Sequence, residues 1–150
     1  PAQLTDRTAT ANPPHERVHL RAWLDGGDLE LAAVHLPSNR FRGSAAAGDA
    51  ARIAELERVL ADRPAVLVGD MNCRPDSAPY RFMVESDYLD AAVLAGRDRL
   101  EHRVDYTWIE AAWRDRFRKF YVLDSGPFRR ATGDEDWELS DHPPLLLELT

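Results

Sequence analysis

Apolar and polar positions alternate with period two over residues 18–24. Val18, Leu20, Ala22 and Leu24 fall on one side and His19, Arg21 and Trp23 on the other, which predicts a strand. Asp25-Gly26-Gly27-Asp28 reads as a hairpin turn. Leu29–His35 follows as the partner strand, apolar almost throughout and so expected to be buried on both faces. After a loop over 37–43, the period changes to that of a helix over 45–62. Its apolar stripe is Ile53, Leu56, Val59 and Leu60, with Glu55, Glu57 and Arg58 outside, and Pro64 ends it. A short apolar run over 65–68 reads as another buried strand, and 77–84 as a short helix. Val104, Tyr106 and Trp108 alternate with Asp105, Thr107 and Ile109, residues 117–123 read as extended, and 145–149 form a last strand after Pro143-Pro144. Residues 1–17, rich in Thr, Ala and Pro and without periodicity, read as a loose arm or linker. Strands mixed with helices, and at least one hairpin, predict an α/β protein with mixed sheets, without internal repeats or a second domain.

Composition narrows this picture only a little. A chain of 150 residues is one domain's worth, and its 44% hydrophobic and 30% charged residues are ordinary for a globular protein. No apolar stretch approaches a bilayer span and no signal-peptide pattern opens the chain, so cytoplasmic residence is the default expectation. The lone Cys73 excludes an internal disulfide framework and a cysteine-rich zinc site. A net charge of −7 argues against a broad basic face for nucleic acid, although divalent ions can still bring phosphates to an acidic chain.

Four places carry candidate chemistry. In Leu67-Val68-Gly69-Asp70-Met71-Asn72, a carboxylate and an amide two residues apart follow a buried strand, where open α/β sheets commonly place ligands. In extended chain both side chains point the same way and could orient a water, a hard cation or a phosphate oxygen. Alone, the stretch reads better as an Asx turn. It is not a calcium loop, because Pro75 and Arg81 stand where that loop needs Gly and Glu. Ser140-Asp141-His142-Pro143 offers a metal ligand in Asp141 and a general base in His142, or simply a capped turn before the last strand. Asp105 could hold an imidazole in one tautomer. His35 ends a strand, more often a structural position than a catalytic one. No Gly-x-Ser-x-Gly and no Gly-rich Lys loop is present.

In this order, Ala32-Ala33-Val34-His35-Leu36-Pro37-Ser38, the Gly69-Asp70-Met71-Asn72 loop, Arg103-Val104-Asp105-Tyr106 and Ser140-Asp141-His142-Pro143 resemble the endonuclease/exonuclease/phosphatase superfamily, in particular its deoxyribonuclease and sphingomyelinase branches. The resemblance covers about residues 18–150 and implies the C-terminal part of a two-sheet, four-layer α/β sandwich of mixed strands, lacking its N-terminal strands. It implies a divalent-metal-dependent phosphoesterase using Mg²⁺ or Mn²⁺. Asp70 and Asn72 would position the attacking water and hold the scissile phosphate, with Asp70 and Asp141 at the metal. His142 would be the catalytic histidine, oriented by Asp105, and His35 would contact phosphate or aid the leaving group. The family's earlier motifs, a strand-end Asn and a Gln-Glu whose Glu is a principal metal ligand, have no match in residues 1–17. Asn12 precedes Pro13-Pro14, and Glu16 lies in a polar run. The chain is accordingly expected to be either a piece of a longer protein or a reduced form with weakened metal binding. An alternative alignment over 118–123 would put Phe120 in place of Asp105.

The substrate implied is a phosphoester: nucleic acid, phospholipid or a small phosphate ester. The basic and aromatic residues of 113–120, with Arg129-Arg130, could contact phosphates or form a solvated element with an apolar back. Two other readings stay open: a catalytically impaired remnant acting as a phosphate-binding or interaction module, and a structural domain in which all four places are turns.

Overall fold

The predicted hairpin pairs the two strands that the pattern places there, although Leu20 on the predicted apolar side is exposed. In the computed structural model, which describes residues 4–12, 17–24, 27, 29–39, 42–97, 103–123, 129–132, 135–138 and 142–150, Arg17–Leu24 (β2) pairs antiparallel with Leu29–His35 (β3), closing at Leu24 opposite Leu29. The helix Ala45–Leu60 (α1) then crosses over, so that Val66–Asp70 (β4) returns parallel to β3. Ala78–Glu85 (α2), Tyr88–Asp90 (β5) and Ala91–Leu94 (α3) precede Asp105–Glu110 (β6), which pairs antiparallel with both β4 and β5. A 3-10 helix, Ala111–Arg116, leads into Phe117–Val122 (β7). Arg129–Thr132 (β8) and Glu135–Glu138 (β9) make a separate hairpin, and Leu145–Leu149 (β10) pairs antiparallel with β7.

Residues 1–17 are not a loose arm throughout. Leu4–Asn12 forms strand β1, antiparallel to β2 from Leu4 opposite Leu24 to Asn12 opposite Arg17. An edge strand is recruited by backbone pairing and needs no apolar period, and Thr5, Thr8 and Thr10 are β-branched residues that suit it. The large sheet therefore has six strands in the order β1-β2-β3-β4-β6-β5, and β10 and β7 form a two-stranded sheet that is not hydrogen-bonded to it. This is the expected α/β two-sheet architecture of mixed strands.

Each face of the large sheet has its own core. Val34, Leu67, Tyr106 and Trp108 bury against Leu56 and Val59 of α1 and Met83 of α2. Ile109, on the opposite face, buries with Phe120 of β7 and packs against Leu145 and Leu147 of β10. Burial is less even than the sequence predicts. In β3, Ala32 and Val34 are buried, whereas Leu31 and Ala33 on the back are only half-buried, because the two-stranded sheet covers that face in part. An apolar cavity of about 870 Å³ remains there between Leu31, Val66 and Val68 and the β10 leucines. In α1 the buried side includes Arg52 and Glu55 along with Leu56 and Val59, so Glu55 is not on the outer face and Ile53 is only half-buried. No helix among the described residues is long and apolar enough to cross a membrane.

Candidate active site

Four of the residues singled out in the sequence meet at the same ends of three adjacent strands. His35 is the last residue of β3, Asp70 the last of β4 and Asp105 the first of β6. Register places His35 beside Asp70, and Asp70 opposite Asp105. His35 Nε2 lies 3.4 Å from Asp70 Oδ2. His142 comes in from the segment before β10, its Nδ1 2.8 Å from Asp105 Oδ2. A carboxylate can only accept, so His142 donates from Nδ1, and Nε2 is the acceptor nitrogen of that tautomer. Both histidine side chains are about half exposed, whereas the Asp70 and Asp105 carboxylates sit lower, under 20% exposed. Asp141 lies outside the described residues, as does Ser140.

The Asp70–Asn72 turn is held by its own polar groups. Gly69 has φ +136°, and a Cβ there would stand 1.9 Å from the Val34 carbonyl oxygen. Only glycine lets β4 approach β3 this closely just before Asp70. Asn72 takes the left-handed conformation at φ 48°, where Asn is tolerated better than most residues. Its backbone N–H donates to Asp70 Oδ1 (2.8 Å), while its Nδ2 donates to Asp70 Oδ2 (2.9 Å) and to the Leu36 carbonyl (2.9 Å). Both amide hydrogens are thus committed inside the loop, and the amide oxygen is what Asn72 can present to a ligand. The Asx turn and the candidate site are one structure. The Leu36 N–H donates to the Asp70 carbonyl (2.8 Å) and the Met71 N–H to the Val104 carbonyl (2.9 Å), tying three loops together at backbone level.

Behind β6 sits a group the sequence reading does not find. Asp90 caps α3 by accepting from the Ala92 N–H (3.0 Å), and it also accepts from the Tyr80 phenol (3.1 Å). Arg103 forks onto it with both terminal nitrogens, one at 2.9 Å. Burial works against the Arg103 charge, but the Asp90 hydrogen bond and attraction outweigh it and hold the guanidinium above its ordinary range. Burial, reinforced by Asp90, pushes the Tyr80 phenol up to about 12. Arg103 also lies 4.4 Å from the Tyr106 ring centre, and the Tyr106 phenol donates to the Cys73 carbonyl (3.1 Å). The pair thereby fixes the residues just before Asp105. An Asp before the short run Ala91-Ala92-Val93-Leu94, with an Arg two residues before Asp105, is the trace it leaves in the sequence. Cys73 is buried, and burial pushes its thiol up, which makes it a packing residue rather than a nucleophile.

The donors fit a divalent ion in kind. Asp70 offers a carboxylate held in one orientation and Asn72 an amide oxygen, the hard ligands that Mg²⁺ and Mn²⁺ take, and Mg²⁺ needs only one or two carboxylates because it keeps several waters. Among the described residues, no three His, Cys, Asp or Glu side chains converge on one point. The basic segment of 113–120 stands elsewhere. Arg116 stacks on Trp113 at 4.6 Å, Arg118 bonds the Asp115 carbonyl, and Lys119 pairs with Glu148 of β10.

The model of the endonuclease/exonuclease/phosphatase family matches residues 3–142. The fold is similar to that of a family protein from Bacteroides thetaiotaomicron, with a TM-score of 0.69 and 16% identity over 99% of this chain and 66% of that one. It is similar to D. rerio TDP2 in complex with a single strand DNA product, with a TM-score of 0.66 and 15% identity over 99% of this chain and 68% of that one. It is similar also to sphingomyelinase C from Streptomyces griseocarneus, with a TM-score of 0.63 and 16% identity over 98% of this chain and 65% of that one. The chain spans from half to about two thirds of the length of the solved chains it matches. No curated protein sequence matches it. With its fold, its strand-end residues and a family match over nearly its whole length, the chain belongs to the endonuclease/exonuclease/phosphatase family.

Proposed function

We propose that this chain carries the catalytic face of a divalent-metal-dependent hydrolase of phosphoester bonds. The observation that supports this best is the pairing at the strand ends: His35 with Asp70 on β3 and β4, and His142 with Asp105 beside β6. The family consists of metal-dependent phosphoesterases, and two of the similar structures are a protein in complex with a DNA product and a sphingomyelinase.

A phosphodiester repels nucleophiles because it is anionic, so a water must be both held and deprotonated beside it. Asp105 holds His142 with Nδ1 protonated, and Nε2 then takes the proton of the attacking water. Asp70, fixed by both nitrogens of Asn72, orients that water, and the Asn72 amide oxygen accepts from it. His35, beside Asp70, donates to a phosphoryl or leaving-group oxygen. Asp70, with Asp141, would hold the divalent ion, which when bound neutralises phosphate charge.

The test is a double-mutant cycle of Asp105→Asn and His142→Ala in hydrolysis of a generic phosphodiester with Mg²⁺. Residues acting as one unit give a double variant no slower than the worse single one. Additive losses would overturn the dyad. A folded wild-type protein without hydrolysis would leave the impaired remnant as the better reading.

A further inference from the structure

Arg52 is 1% exposed, a cation buried in the middle of α1, and it points out of the helix toward the loop after His35. Its Nη1 donates to the Pro37 carbonyl (2.8 Å), and its Nη2 donates to Asn39 Oδ1 (2.8 Å) and Asp49 Oδ1 (2.6 Å). Burying a guanidinium costs several kcal/mol, which the three bonds of Nη1 and Nη2 offset while Nε has no hydrogen-bond partner among the described residues, so these contacts define where the loop can lie. A second feature of α1 serves the same contact. Gly48 is buried in the helix interior, where glycine costs about 1 kcal/mol relative to alanine, and a Cβ there would stand 2.0 Å from Asn39 Oδ1. The helix therefore leaves a notch for Asn39 and supplies the cation that holds it there.

The loop held in this way follows directly on His35, the last residue of β3. Its Leu36 carbonyl accepts from Asn72 Nδ2, and its Leu36 N–H donates to the Asp70 carbonyl. The end beside His35 is thus clamped by the Asp70–Asn72 turn and the other end by Arg52. We propose that Asn39 and Arg52 form a positioning lock, seated in the Gly48 notch, that sets His35 against Asp70 and makes the loop a fixed wall of the phosphate site. This rests on the phosphoesterase reading for its kinetic consequence, but not for its structural one.

Two variants break the lock from opposite sides. Asn39→Ala removes the acceptor, and Gly48→Ala fills the notch while improving helix propensity. Asn39→Asp keeps an acceptor for Arg52 and serves as the rescue. Imidazole resonances followed by NMR should move for His35 and stay fixed for His142 in the two breaking variants, and return toward wild type in Asn39→Asp. In phosphodiester hydrolysis, kcat should fall about tenfold in the breaking variants, since small misplacements near reacting groups cost this much. KM should hold within about twofold. Unmoved His35 resonances would overturn the lock whatever the activity. Moved resonances in a wild-type protein without hydrolysis would uphold the lock and overturn the phosphoesterase reading instead. Moved resonances with kcat unchanged would overturn the positioning role.

Discussion

Asp70 and Asp105 stand opposite each other in the antiparallel register of β4 and β6, yet each carboxylate serves a different histidine. Asp70 lies beside His35, and Asp105 accepts from His142. Two like charges on neighbouring strands are tolerated here because each is partnered, Asp70 by two Asn72 nitrogens as well. The sheet register brings these strand ends side by side, and the loop contacts of Leu36, Asn72 and Val104 hold them there.

Asn72 separates turn formation from carboxylate orientation. Glycine accepts φ 48° freely, so Asn72→Gly keeps the turn while removing the amide bonds to Asp70 and Leu36. Urea unfolding should show a loss of about 1–3 kcal/mol, the worth of two typical hydrogen bonds. Phosphodiester turnover should fall by at least about tenfold, because Asp70 is no longer held.

Gly69 is a different kind of position. Gly69→Ala forces a Cβ into the Val34 carbonyl at a φ of +136°, where backbone rather than a flexible side chain must yield. The expected loss is about 3 kcal/mol or more in urea unfolding, with β3 and β4 amides losing hydrogen-exchange protection first.

The Asp90–Arg103 pair is nearly dry, with side chains 2% and 7% exposed. Arg103→Met leaves the Asp90 carboxylate buried with only Tyr80 and the Ala92 N–H, and should cost about 3–5 kcal/mol. The double variant Asp90→Leu/Arg103→Met should be more stable than Arg103→Met alone, which thermal unfolding can read directly.

Stability should also change with pH through His19. Burial lowers its pKa below the ordinary 6.5, and the Arg21 charge adds to this. The unfolded state then binds more protons than the folded one between the lowered value and 6.5, so stability rises with pH across that window and is lost below it. His19→Gln should flatten this part of the stability profile, and an unchanged slope between wild type and variant would contradict the assignment.

The strands that carry the site were readable because they alternate or run apolar: β3 begins and ends where the pattern places it, and β4 delivers Asp70 at the end of its apolar run. Asp105–His142 was legible only through resemblance, since 37 residues separate the two and nothing local links them. β1 was missed because an edge strand made of Thr, Ala and charged residues leaves no apolar period to detect. The burial of Arg52 and Glu55 was missed because a helix stripe is read from apolar residues, and Arg52 is held inside by loop oxygens that only the fold brings near. The Asp90–Arg103 pair hides for the same reason, joining two segments 13 residues apart around a short helix.

Hydrolysis of a phosphoester by these strand-end groups is read by steady-state turnover of bis(4-nitrophenyl) phosphate with Mg²⁺, for wild type, Asp70→Asn and His142→Ala matched for folding by circular dichroism. kcat/KM should fall by about two orders of magnitude or more in each variant, as removal of a general base or of a water-orienting carboxylate should cause. Folded variants that both retain hydrolysis within about threefold of wild type would contradict it.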